Sequence, residues 1–479
     1  MSASSPTTAP PSWSAAVTQP GREFPLTPLP LLEGEIPPGL RGTLYRNGPG
    51  RLERGGARVG HWFDGDGAIL AVRFSDGGAT GVYRYVQTQG YREESAAGRF
   101  LYPGFGMRAP GPFWKRWGKF PKHCANTSVL ALPDKLLALW EGGHPYGLDL
   151  ETLETLGLDS LSQLEPEMVY SAHPKVDGAT GEIFNFGVSP GPSPQLHLYK
   201  SDRNGTITQQ AKHPLQSSPV LHDFAIAGPY LVFFIPPVEI QLLPILFGYR
   251  SFADSLKWQP SQGTQILIFD RHSLELVSQS TAESWYQWHF SNGFVDDRGS
   301  IIIDFARYDD FQTNEFLREV ASGKTKTAAL SRLWRSHLNP KTGELTDSYP
   351  LVELSSEFPS VAPSEVGNYA RYTYLSVRRE GTSLAEDLLD AIARWDDRTQ
   401  TLEIADPGSG LYPTEPIYVT DLENSDRGWL LTVVYCSSSH TSEVWVYDAA
   451  RLSDAPVCRL QLPSVIPIGF HGTWKAQMR

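Results

Sequence analysis

The chain has 479 residues, with 41 Lys and Arg against 53 Asp and Glu and a formal charge of −12. That balance, with no basic stripe, argues against a nucleic-acid partner, whose phosphates demand a cationic face. With 40% hydrophobic and 20% charged residues the chain reads as globular with material for a large core, and its 13 Trp, 20 Tyr and 22 Phe could line an apolar tunnel.

Residues 1–21 are rich in Ser, Thr, Ala and Pro, start without positive charge and contain no continuous apolar run. They fail as a secretory signal and read as a flexible lead-in, leaving residues 22–479 as a single domain. No later run approaches the roughly 18 apolar residues that would span a bilayer. Cys124, Cys436 and Cys458 are odd in number and lack metal-type spacing, so neither a disulfide framework nor a zinc-thiolate site is expected, and a reducing cytoplasm is the default location.

From there, short apolar segments punctuated by Gly, Pro, Asn and Asp recur at residues 136–140, 182–188, 230–235, 265–269, 300–305, 372–377, 429–435 and 442–447. This predicts strands and turns almost throughout, with residues 316–321 and 383–393 as the only weak helical patterns. Many four-stranded units arranged radially fit better than a sandwich, which predicts an all-β propeller without fixing the blade number. Two unusually apolar stretches interrupt the pattern. Residues 100–120 interleave Phe105, Phe113, Trp114, Trp117 and Phe120 with Arg108, Lys115, Arg116 and Lys119; residues 240–252 carry Leu242, Leu243, Ile245, Leu246, Phe247 and Tyr249. They are either core helices or a patch that dips into a membrane surface, where a greasy substrate would enter.

Four histidines stand in apolar or aromatic frames: His173, His222, His289 and His471, separated by 49, 67 and 182 residues. A lone histidine of this kind is usually a satisfied core residue. Four of them, each delivered by a different blade to a common axis, could meet at one metal. Neutral imidazoles without thiolate favour iron, copper, nickel or zinc over calcium or magnesium. Such ligands need acceptors behind them, and Glu141, Glu357 and Glu415, each beside an apolar strand-like run, are the candidates. Gly187-Val188-Ser189-Pro190-Gly191 resembles a hydrolase elbow, but Pro190 has no N–H for an oxyanion hole and the stretch reads as a turn. Asp64-Gly65-Asp66-Gly67 suggests a calcium loop, but its glycine is at the fourth place and Ser75 stands at the twelfth where a bidentate Glu is required; no glycine-rich phosphate loop follows a strand, so no nucleotide cofactor is expected.

These residues resemble a known family, the carotenoid cleavage oxygenases, and within it the cyanobacterial apocarotenoid oxygenases. The blocks that carry the likeness are Gly42-Thr43-Leu44-Tyr45-Arg46-Asn47-Gly48-Pro49-Gly50, His61-Trp62-Phe63-Asp64-Gly65-Asp66-Gly67, Ala125-Asn126-Thr127, Leu139-Trp140-Glu141-Gly142-Gly143, Ser171-Ala172-His173-Pro174, His222-Asp223-Phe224, His289-Phe290-Ser291-Asn292, Ser356-Glu357-Phe358-Pro359, Glu415-Pro416 and His471-Gly472-Thr473-Trp474. The resemblance implies a seven-bladed β-propeller with a helical and loop cap over one axial Fe(II), held by His173, His222, His289 and His471 and backed by Glu141, Glu357 and Glu415. It implies that Thr127 crowds one open iron position, and that Phe105, Trp140, Val220, Trp288 and Phe358 line the substrate pocket. The implied reaction is cleavage of a conjugated C=C bond of a carotenoid or apocarotenoid by O2 into two carbonyl products, retinal-type aldehydes for example. The implied setting is cytoplasmic and peripheral to a membrane. A stilbene-cleaving dioxygenase, a non-catalytic carotenoid binder and an isomerase share the scaffold; stilbene cleavers grip a phenol with Tyr and Lys where this chain matches Phe105 and Trp140.

Overall fold

The strand Tyr230–Ile235 shows why the apolar segments of this chain run without alternation. Leu231 and Phe233 pack with Phe184, Phe186, Leu196 and Leu198 of the preceding sheet. Val232 and Phe234 pack with Ile301, Ile303 and Phe305 of the following one. A strand buried on both faces has no solvent side to supply polar residues. The same sharing recurs between every neighbouring pair of sheets, so the core is a chain of thin apolar layers rather than one central mass.

The structure is a computed structural model that describes residues 10–112, 114, 116–191 and 193–477. It is all-β with a propeller-like arrangement, and each of the eight apolar segments falls on a strand. The resemblance implies seven blades; five sheets have the four-stranded form, running in chain order from Ser128–Ala131 to Thr401–Ala405. The other main strands gather into one sheet of five and one of six, and both join the two ends of the chain. Gly42–Arg51 pairs antiparallel with Gly472–Ala476, and Leu31–Gly34 pairs with Cys458–Gln461. Strands drawn from opposite termini have no local sequence signal, which is why composition alone leaves the blade number open.

In each four-stranded sheet the last strand faces solvent, as the exposed residues of Leu276–Ala282 and Leu345–Pro350 show. The first strands instead touch one another. Ala225–Ala227 contacts Tyr286–Val295, which contacts Ser356–Ser360, and Gly472–Ala476 contacts both Ser128–Ala131 and Ile417–Thr420. The first strands therefore converge on an axis.

The expected cap is built mainly of loops. α-Helices among the described residues are few and short: Ser14–Thr18, Gln89–Ala97, Leu242–Leu246 and Gln312–Val320. The last contains most of the weak pattern at 316–321. The pattern at 383–393 is not a helix, because the carboxylate of Asp390 is drawn to Arg379 and Thr382 and the segment is held as a loop before the strand Ala391–Asp396. The lead-in also ends earlier than Gly21. Residues 1–9 lie outside the described residues, but Trp13 is fully buried and its indole N–H donates to the Glu386 carbonyl oxygen at 3.2 Å.

The two apolar stretches are not core helices. Residues 100–120 contain no α-helix among those described, Phe113 and Lys115 lying outside them, and the helix Leu242–Leu246 buries none of its residues. The stretches meet: the Trp117 and Phe247 rings lie 6.0 Å apart, and the Gly118 N–H donates to the Leu246 carbonyl oxygen. Around that junction Trp117 is 69%, Phe120 80% and Leu243 67% exposed, which is far more apolar surface than scattered single residues present.

Candidate metal centre

The first strands carry the candidate residues to the axis at their leading ends. Thr127 precedes Ser128–Ala131, His173 precedes Lys175–Val176, His222 precedes Ala225–Ala227 and Glu415 precedes Ile417–Thr420. His471 precedes Gly472–Ala476, while His289 and Glu357 lie within Tyr286–Val295 and Ser356–Ser360. Strand alternation would send Glu357 and Phe358 to opposite faces. A bulge between Glu357 and Ser360, with Phe358 at φ 52°, turns both toward the centre. A left-handed backbone at so bulky a residue is strain stored where the site needs it.

The four histidines form one cluster whose ligand-type atoms all lie within 4.8 Å of one another. The His471 and His289 Nε2 atoms are 3.0 Å apart, and those of His222 and His289 are 3.4 Å apart. Behind two of the rings the outer nitrogens are fixed: His289 Nδ1–H donates to Glu357 Oε2 at 2.5 Å and His471 Nδ1–H to Glu415 Oε1 at 2.9 Å. Glu141 Oε1 lies 3.3 Å from His222 Nδ1 and 3.6 Å from His173 Nε2. Among the described residues His173 has no carboxylate of its own.

This arrangement fits a cation. With the proton held on Nδ1 by a carboxylate, the Nε2 atom of a neutral ring is a lone pair. Such lone pairs at 3.0 Å repel unless a positive charge stands among them. His173 Nε2 is also buried without a hydrogen-bond partner, as is Glu141 Oε1. Burial, and then the neighbouring imidazoles, hold His173 and His222 well below the ordinary histidine value; burial and His471 do the same for His289, so these three rings are neutral donors. Four nitrogen donors without thiolate suit a borderline transition metal.

Each carboxylate is itself supported. Burial pushes the Glu357 carboxyl up to about 7, although Phe358 N–H donates to it at 2.7 Å and Tyr308 Oη–H at 3.1 Å. Burial also raises Glu415, but His471 and Arg46 outweigh it and leave that carboxyl below its usual value. Arg46 Nη1 donates to Glu415 Oε2 at 3.0 Å, and the Gly472 N–H donates to the same oxygen at 2.8 Å. Asp223 ties three histidine segments together: it accepts from Lys175 Nζ, from its neighbour Phe224 N–H and from Phe290 N–H. Arg46 and Asp223 stand within the sequence blocks that carry the resemblance, but neither they nor Tyr308 carries an expected role; Arg46, a charged residue within the buried strand Gly42–Arg51, is the one legible signal.

The cluster opens on a cavity of about 930 Å3 whose walls include His222, His289, His471 and all three glutamates. Thr127, Phe105, Trp140, Val220, Trp288 and Phe358 all line it. Phe358 stacks on His289 at 5.1 Å, Trp288 meets His222 edge-on at 4.8 Å, and the Thr127 hydroxyl donates to Asn126 Oδ1. At the other side the cavity reaches Phe120, Leu242, Leu243 and Leu246, so its mouth lies at the exposed apolar patch.

If the carboxylates orient the rings, Glu357→Gln keeps the size and one acceptor oxygen but is expected to weaken metal affinity or activity by roughly 10–100-fold. Metal titration of the purified variant checks this, and wild-type affinity with wild-type turnover would leave Glu357 as a packing residue only.

The family described as retinal pigment epithelial membrane protein, RPE65, matches residues 17–476. The chain is 34% identical over 457 residues to the apocarotenoid-15,15'-oxygenase of Synechocystis, covering 92% of each chain. It is 25% identical to the resveratrol cleavage oxygenase 1 of Aspergillus fumigatus, over 92% of this chain and 91% of that one. Among solved structures, a variant of the Synechocystis apocarotenoid oxygenase superposes with a TM-score of 0.90 at 31% identity, covering 98% of this chain and 99% of that one. The cobalt-substituted form of the Synechocystis enzyme superposes at 0.88, with the same identity and coverage. A match along nearly the whole chain, in sequence and in fold, shows that the protein belongs to the RPE65 and carotenoid oxygenase family.

Proposed function

We propose that the protein is a non-haem Fe(II) dioxygenase that cleaves a conjugated C=C bond of an apocarotenoid or carotenoid with O2 to give two carbonyl products. The observation that carries this is the four-histidine cluster at the wall of a large apolar cavity, in a chain 34% identical to an apocarotenoid oxygenase. His173, His222, His289 and His471 would hold one iron per chain, with Glu357, Glu415 and Glu141 orienting His289, His471 and His222. When bound, iron would supply the activation of O2 next to the polyene. The chain's own part is to position and to shield. About 930 Å3 stands near the top of the ~300–1,000 Å3 range of small-molecule pockets, which suits a long ligand. Phe105, Trp140, Val220, Trp288 and Phe358 would hold the hydrocarbon and exclude water, and Thr127 would crowd one open metal position. If the five- and six-stranded sheets count as blades beside the five four-stranded ones, the propeller has seven.

Incubating iron-loaded protein with apocarotenals, full-length carotenoids and a phenolic stilbene tests the reading. O2 consumption with paired aldehydes from a polyene is expected. Cleavage of the stilbene alone would replace the substrate class; Phe105 has no polar atom and Trp140 only its indole N–H to offer a phenol. Polyene binding or isomerisation without O2 uptake would overturn the dioxygenase.

Among the described residues no helix is long and apolar enough to cross a membrane. We propose that the chain is cytoplasmic and docks peripherally through the patch formed by residues 116–120 and 242–249. Burying one Leu- or Phe-sized side chain contributes roughly 1.5–3 kcal/mol, so three or four give reversible attachment. Arg116 and Lys119 would help only within about a Debye length, ~8 Å at physiological salt. Replacing Leu242, Leu243, Leu246 and Phe247 together by Ser is expected to reduce co-sedimentation with liposomes and slow cleavage of membrane-held substrate, with metal content unchanged. Sedimentation equal to the parent would remove the patch from the docking surface.

A further inference from the structure

Beyond Val377, the strand Tyr372–Val377 leads into Arg378, which lies two residues from Ser376 and therefore on the same side of the chain. Both line the cavity that holds the histidine cluster, and Ser376 is paired in register with Glu357. Arg378 is 4% exposed, and its guanidinium lies 5.3 Å above the Phe316 ring. Its one side-chain hydrogen bond among the described residues runs from Nη1 to the Ser383 carbonyl oxygen at 2.5 Å. Nε is buried without a partner, and so is the Ser376 hydroxyl.

The other buried arginines show what this one lacks. Arg46 pairs with Glu415, Arg54 with Asp66, Arg307 with Glu283, and Arg335 with Asp304 and Asp397. No carboxylate among the described residues comes within 4.0 Å of Arg378. Asp390 is taken by Arg379 and Thr382, and Asp387 accepts from Tyr412 Oη. Burial holds the Arg378 guanidinium below its ordinary value, but an arginine stays protonated in proteins. Asp387 and Asp390 act on it only from a distance, so Arg378 is a buried cation with an open Nε donor and no carboxylate in contact, a group that takes up an anion.

We propose that Arg378, with Ser376, is the receptor for a carboxylate at the end of the polyene, so that the preferred ligands are polyene acids. The proposal rests on the polyene-cleaving reading and narrows it. A carboxylate offers two oxygens to the guanidinium edge and accepts from the hydroxyl, where an ester or hydrocarbon end leaves the cation unpaired. Arg378 acts as a specificity residue; it is not assigned to bond cleavage.

The test is binding to the iron-loaded protein without O2, followed by tryptophan fluorescence quenching with all-trans-retinoic acid and with its methyl ester. The acid is expected to bind about tenfold or more tightly than the ester, the scale of a charge-assisted pair. Equal affinity of acid and ester overturns the proposal with the wild-type protein alone, so it is decided even if variants fail to fold. In Arg378→Met the preference is expected to vanish through loss of acid binding while ester binding stays, and Arg378→Lys should retain part of it. A preference that survives in Arg378→Met also overturns the assignment. O2 uptake with a neutral apocarotenal is measured beside it: if the acid preference holds and no polyene supports O2 uptake, the cleavage reading fails and the receptor stands.

Discussion

His222→Ala is expected to remove stoichiometric metal and to reduce turnover to background, a loss beyond the upper ~100-fold that a supporting carboxylate costs. Its ring closes one side of the cluster, 3.4 Å from His289 Nε2 and 4.2 Å, centroid to centroid, from His173. Without it three imidazoles remain around a wider opening into the cavity, and Glu141 loses the ring that lies 3.3 Å from its Oε1. The fold should hardly notice, because the packed layers lie between sheets and the ring's main apolar neighbour is Trp288, itself tied to Thr313 Oγ1 through its indole N–H at 2.9 Å. Metal analysis and thermal melting on the same preparation separate the two outcomes. His272→Ala, at an exposed turn, serves as the control and should keep both metal and activity. Full metal content with normal turnover in His222→Ala would sink the site assignment.

The strands and the histidines were readable in the sequence for one physical reason each. A strand buried on both faces writes a continuous apolar run, as at Tyr230–Ile235, and a titratable ring in such a frame stands out by contrast. What was not readable depends on distance along the chain. Pairing His289 with Glu357 and His471 with Glu415 requires the register of first strands in different sheets, set by residues 68 and 56 positions apart. Arg46 and Glu415 are 369 positions apart and meet because the N-terminal strand closes on the C-terminal one. The turn of Phe358 into the cavity comes from a bulge and a left-handed φ, which no periodicity announces. The apolar stretches show the converse limit. Their composition fits a core helix or a surface patch equally, and only the exposure of Trp117, Phe120 and Leu243 separates the two.

Arg46→Met is expected to destabilise the protein by roughly 3–5 kcal/mol, the usual cost of stranding one partner of a buried ion pair. Arg46 and Glu415 are both buried, and Nη1 makes two bonds to the same residue, one to its carboxylate and one to its carbonyl oxygen, each 3.0 Å. Nη2 adds a bond of 2.9 Å to the Phe470 carbonyl oxygen, next to His471. The one guanidinium thus fixes both the carboxylate behind His471 and the backbone that delivers it, so stability and metal affinity should fall together. Methionine fills much of the lost volume, which keeps a cavity from being the cause of the loss. The companion variant Glu415→Gln in the Arg46→Met background separates charge from packing: with no buried carboxylate left unpaired, part of the lost stability should return while the metal remains weakly held. Thermal melting of both variants with metal titration reads this directly. A melting shift under about 1 °C in Arg46→Met, where each kcal/mol moves a large domain by a degree or more, would show that Glu415 is held by Gly472 and His471 without Arg46.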